Sequence, residues 1–131
     1  MEDYIFVYPA IFEPEDGTIN VYFPDVSGAL TWGQNEKKAI KYGKEALALG
    51  LEHYVEQEEP FPNATPSREV KITGDQYVQL IEVDLTKYMK KHSKSIRKDV
   101  TLPSYMATIV KDHGDSLSAI LQEAITKKYG L

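Results

Sequence analysis

Arg97, Asp99 and Thr101 occupy alternate positions, with Val100 and Leu102 interleaved between and after them. In a strand the side-chain period is two, so the three polar groups share one face and the two apolar ones the other. A guanidinium, a carboxylate and a hydroxyl at that spacing make a polar face that offers donors, an acceptor and a group that is both. Lys94 and Lys98 add positive charge of the kind that neutralises phosphates. Catalytic chemistry finds less support. Two-metal phosphodiester cleavage needs several converging carboxylates, yet no Asp or Glu lies between Tyr4 and Phe12, the first predicted strand. Glu13, Glu15 and Asp16 are expected in a hairpin turn. Asp25 is the one loop carboxylate to inspect, and it reads as a turn or partner contact. His53, His92 and His113 lie on different segments without ligand spacing. There is no nucleophile elbow or phosphate-cradling glycine loop. With no cysteine in the chain, thiolate metal sites are excluded, and no metal or cofactor is expected.

The alternating residues need an element to hold them. A strand is predicted from Arg97 to Leu102 and stops at Pro103, which suits the first turn of a helix. Met106, Ile109 and Val110 then recur at helical spacing. Gly114 follows as a helix-ending residue, and Asp115 or Ser116 caps a second helix striped by Leu117, Ile120, Leu121, Ala124 and Ile125. Lys127 and Lys128 close it where positive charge suits a helix C-terminus. Such a unit cannot stand alone, because its strand has no partner and roughly 35 residues are too few for a core. A second copy completes it. Two strands pair antiparallel and four helices cover their inner face, so Val100, Leu102, Met106, Ile109, Leu117, Ile120, Leu121 and Ile125 are the expected dimerisation residues. The two-stranded ribbon then fits the major groove of double-stranded DNA.

This pattern resembles the ribbon-helix-helix family of bacterial repressors, on the strength of Arg97 to Pro103, Gly114 between the helices, and Ser116 to Ala119. The resemblance implies Arg97, Asp99 and Thr101 as base readers and Ser116, at the N-terminus of the second helix, as a phosphate contact. Lys98 stands where that family usually carries an apolar residue.

Charge is segregated along the chain's 131 residues. Residues 1–93 hold 9 Lys/Arg against 16 Asp/Glu, a net −7, whereas residues 94–131 hold 6 against 4, a net +2. An acidic body repels nucleic acid and attracts basic proteins, while the basic tail can approach phosphates. No apolar run approaches the length that spans a bilayer, and the opening Met1 to Tyr4 lacks the basic region of a signal peptide. A cytoplasmic protein without membrane contact is expected.

The body begins with a β-forming run, Tyr4 to Phe12, apolar on both faces, in which Pro9 calls for an edge or a bulge. Glu13 to Gly17 is expected as a turn, so Thr18 to Phe23 folds back as the second arm of a hairpin. A third strand spans Ala29 to Gly33. Asn35 is the predicted cap of a helix whose buried face carries Ile40, Gly43, Leu47, Gly50, Leu51 and Tyr54, the glycines indicating close approach to the sheet. Glu56 to Ser67 is a proline-rich connection, Tyr77 to Val83 a fourth strand, and Thr86 to Lys91 a helical joint to the tail.

Tyr8 to Phe12, Phe23 to Gly28 with Thr31 and Gly33, and the helix from Ala39 to Leu51 resemble the HicB family of antitoxins. The resemblance implies an α+β chain: a three- to four-stranded sheet with one packed helix, a partial ribonuclease H-like body over 1–91, and a ribbon-helix-helix domain over 92–131. It further implies a body that binds and silences a small basic HicA-type toxin ribonuclease, and a tail that, as a homodimer or higher even oligomer, represses their shared promoter. Tyr22, Asp25 and Trp32 are candidate toxin contacts, since tyrosine and tryptophan are enriched at interface hot spots. For Trp32 core packing is the favoured expectation. Two alternatives stand beside this reading: a ligand-sensing ribbon-helix-helix repressor, and a ribonuclease H-like nuclease.

Overall fold

The computed structural model describes residues 4–131. Met1, Glu2 and Asp3, on which the signal-peptide expectation partly rests, lie outside the described residues. Two compact units emerge, one ending at Lys91 and the other running His92–Leu131.

In the first unit, β1 (Ile5–Glu15), β2 (Thr18–Tyr22), β3 (Leu30–Gly33) and β4 (Tyr77–Asp84) form an antiparallel sheet of order β3-β2-β1-β4. The helix α1 (Glu36–Glu56) covers one face and α2 (Leu85–His92) follows β4. The hairpin is tighter than the sequence suggests. Asp16 and Gly17 alone make the turn, both at positive φ (49° and 83°), and Glu15 pairs directly with Thr18. Two left-handed residues are what a type I′ turn needs to match the twist of its strands. Glu13 and Glu15 therefore belong to β1, not to a turn as expected.

Both prolines of β1 fit where the strand has a neighbour on one side only. Pairing with β2 runs from Ile11 to Glu15, and pairing with β4 from Ile5 to Phe12. Pro9 lies outside the first ladder and Pro14 outside the second, so a missing donor is tolerated at each.

The core lies between the sheet and α1, built from Tyr8, Ala10, Phe12, Val21 and Ile81 on the sheet and Ala39, Leu47, Ala48 and Leu51 on the helix. Asn35 caps α1 as expected, its side-chain oxygen accepting from the Lys38 N–H at 2.9 Å. The two helix glycines differ. A Cβ on Gly50 would come within 2.9 Å of the Val26 side chain, whereas one on Gly43 would meet Val21 at an ordinary 3.5 Å. Close approach is thus a need of Gly50 alone. Leu85 is fully buried, and the Asp84 carboxylate accepts from the Lys87 N–H at 3.1 Å to cap α2.

In the second unit, α3 (Ser104–Asp112) and α4 (Leu117–Tyr129) follow a stretch, 93–103, without regular structure. The helix ends are well made. Gly114 takes a φ of 69°, with its N–H bonded to the Lys111 carbonyl and the Asp115 N–H to the Val110 carbonyl, the paired bonds of a Schellman motif. Ser116, not Asp115, caps α4, accepting from the Ala119 N–H at 3.2 Å. The expected strand from Arg97 to Leu102 has no ladder in one chain. A strand is defined by its partner, and among the described residues none pairs with it.

Candidate functional site

The two units offer surfaces of opposite kinds. None of residues 92–131 is buried, although α3 ends in a Schellman motif and α4 is capped by Ser116. Val100, Met106, Ile109, Ile120 and Ile125 are exposed, and Leu102, Leu117 and Leu121 only half-buried. A groove of about 560 Å³ runs between residues 95–100 and α4, with Ile96, Val100, Leu121 and Ile125 as its apolar lining and Arg97 and Lys98 also bordering it. Ile96, at 76% exposure, was not among the expected dimerisation residues. Its parity with Val100 and Leu102 was the available signal. Lys94, Arg97, Asp99, Thr101 and Ser116 are all exposed. Hydrophobic side chains left in water along a folded helix pair represent uncollected burial energy, about 25 cal/mol per Å².

In the first unit the three candidate contacts have three different surroundings. The Asp25 carboxylate is engaged internally, one oxygen accepting from the Thr65 N–H at 2.9 Å and the other from the Thr65 hydroxyl at 2.6 Å. It pins the loop between β2 and β3 to the proline-rich connection. Asp25 thus holds a turn, one of the two roles expected of it, with one hydrogen bond accepted on each oxygen. Nearby, the Tyr8 hydroxyl donates to the Pro62 carbonyl, and burial, then the Asp25 charge and Tyr54, raises its pKa above the ordinary tyrosine value. Trp32 is exposed rather than in the core. Its register partner is Asn20, on the face away from α1, and β3 is an edge strand, so nothing in the fold draws it inward. Tyr22 is half-buried on the same face, its hydroxyl accepting from Gln76, which also donates to Glu13. Among the described residues no group of three or more His, Cys, Asp or Glu side chains is placed to hold a metal ion, and no helix is long and apolar enough to cross a membrane.

Residues 8–124 match the family model described as the HicB_like antitoxin of bacterial toxin-antitoxin system. The chain belongs to the HicB-like antitoxin family. Among relatives, a 14.9 kDa protein of the rep-hol intergenic region of Haemophilus phage HP1 is 29% identical over 76% of this chain and 75% of its own length. Antitoxin HicB 1 of Photorhabdus laumondii subsp. laumondii is 35% identical over 56% of this chain, and the match spans 44% of that relative. Among solved structures, a toxin-antitoxin complex from Streptococcus pneumoniae covers 95% of this chain and 99% of the compared chain at a TM-score of 0.61 and 21% identity. The Burkholderia pseudomallei antitoxin HicB covers 95% and 96% at a TM-score of 0.54 and 23% identity. These structures share the α+β fold of this HicB-like chain, a four-stranded antiparallel sheet with four helices.

Proposed function

We propose that this chain is a non-catalytic, cytoplasmic antitoxin with a divided labour. Its first unit, 1–91, binds and neutralises a small basic HicA-type toxin that cleaves mRNA. Its second unit, 92–131, dimerises as a ribbon-helix-helix and represses the operon that encodes both proteins. The observation that carries this reading is the C-terminal pair of capped helices without a single buried residue. A second copy would supply the ladder partner for residues 97–102 and cover the groove lined by Ile96, Val100, Leu121 and Ile125. Arg97, Asp99 and Thr101 would then face outward on the ribbon as base readers, with Lys94 and Lys98 beside them and Ser116 at a phosphate. The charge split supports the same division: an acidic body for a basic toxin, and a basic tail for DNA.

The test has two arms. In an electrophoretic shift assay the purified chain retards DNA from upstream of its own gene, and Arg97→Ala abolishes the shift. In co-expression with the adjacent reading frame, both wild type and Arg97→Ala rescue growth. Loss of both activities in a folded Arg97→Ala protein contradicts the division. Binding should also weaken steeply with salt, log K falling by about 0.9 per phosphate contact for each unit of log salt concentration.

A further inference from the structure

The sheet face opposite α1 is chemically unlike the rest of the first unit. Strand alternation and register place Leu30 and Trp32 of β3, Asn20 and Tyr22 of β2, Ile5 to Glu15 at odd positions of β1, and Val78 to Asp84 at even positions of β4 on it. Leu30 is 70% exposed, Leu80 58% and Trp32 57%, and Val7 and Ile5 are exposed as well. Large apolar side chains left in water on one face of a sheet mark an interaction surface. Tryptophan is the residue most enriched at the energetic centre of such surfaces.

The charged positions are all acidic. Glu13 and Glu15 lie at one end of the face and Glu82 and Asp84 at the other, and no strand position between them carries Lys or Arg. Three of them accept from neutral donors: Glu13 from Gln76, Glu15 from Asn20 and Asp84 from the Lys87 backbone N–H. Those three bonds hold the carboxylates in place and add no positive charge.

We infer that this face is where the first unit grips its toxin, with Trp32, Leu30 and Leu80 as apolar anchors and the carboxylates at both ends meeting lysines or arginines. The inference rests on the antitoxin reading and says which surface performs it. Charge decides between a basic partner and a second copy. Were two such faces to pack on each other, either end of one would meet an acidic end of the other in any antiparallel or parallel alignment, and like charges facing each other oppose association.

Calorimetric titration of the full chain with the purified product of the adjacent reading frame tests this. Leu80→Arg and Trp32→Ala are expected to weaken binding about 30-fold or more, as hot-spot losses do. Glu82→Lys is expected to weaken it less and to flatten its salt dependence. Leu49→Arg, at an exposed position of α1, should leave it unchanged. Thermal melting confirms that each variant is folded. If wild type binds and all variants bind equally, the surface is wrong while the antitoxin reading survives. If wild type does not bind that protein at all, the reading falls and the surface with it. A change of oligomeric mass in Leu80→Arg, with toxin binding intact, assigns the face to a second copy and overturns the inference.

Discussion

The first unit encloses a core and the second does not, although both are built from regular, capped elements. In the first, a sheet and a long helix come from the same chain, so Phe12, Leu47 and Leu51 disappear from water entirely. In the second, two short helices and an unpaired segment leave Val100, Ile109 and Ile125 exposed. Local signals set where helices start and stop, but short helices hold only against packing partners, and only a sufficient number of layers closes a core. The proposed dimer would supply the layer that this unit, with no fully buried residue, lacks.

The largest expected effect comes from breaking the unfinished side. Val100→Asp or Ile109→Asp would put charge where the proposed dimer is dry, at a cost of several kcal/mol. DNA binding and the helical signal of the tail should be lost together, while urea denaturation still reports a cooperative transition from the first unit. Loss of that transition too would show that the two units do not fold independently.

On the finished side, Gly33 and Gly50 are expected to be the sensitive glycines. A Cβ on Gly33 would sit 2.4 Å from the Ala39 backbone nitrogen, where β3 hands over to α1, so Gly33→Ala should cost about 3 kcal/mol in denaturant melts. Gly50→Ala should cost about 1–2 kcal/mol, overpacking against Val26 outweighing the gain in helix propensity. Gly43→Ala, with ordinary space around it, should instead stabilise by about 0.5–1 kcal/mol. Equal effects at 43 and 50 would contradict the packing described. Asp25→Ala removes both acceptors of Thr65 and should cost about 2 kcal/mol. Toxin binding, measured at a temperature where the variant is folded, should persist.

The smallest effect is a titration. Burial first, then the hydrogen bond to Glu36 and its charge, push the Tyr77 pKa up to about 12 from 10.0. A raised pKa favours the neutral phenol in the folded state, so its stabilisation is complete below pH 10 and fades as pH rises toward 12. Tyr77→Phe should flatten the fall in melting temperature across that window.

Much of this was legible in the chain itself. The four strands, the Asn35 cap and the Gly114 helix end are local signals, and each is found where its residues put it, whereas the alternation at 97–101 forms no strand within one chain. What was misread depends on register or distance. Pro14 between two glutamates looks like a turn, yet it lies in β1 because β4 leaves that side of the strand unpaired. Trp32 looks like core until its pairing with Asn20 turns it to the face away from α1. For Asp25 the turn role was expected but not the group it holds, since Thr65 is forty residues on, beyond the reach of any local pattern. The sheet face proposed to meet the toxin shares that difficulty, since its exposed apolar residues come from separate strands and meet only through the sheet.

Sedimentation equilibrium of the intact chain at micromolar concentration, at moderate salt and without toxin or DNA, bears most directly on the central claim. A C-terminal unit completed by its twin predicts the mass of a dimer or a higher even oligomer, reduced to that of one chain by Val100→Asp. A monomeric wild-type chain with α3 and α4 still folded would contradict it.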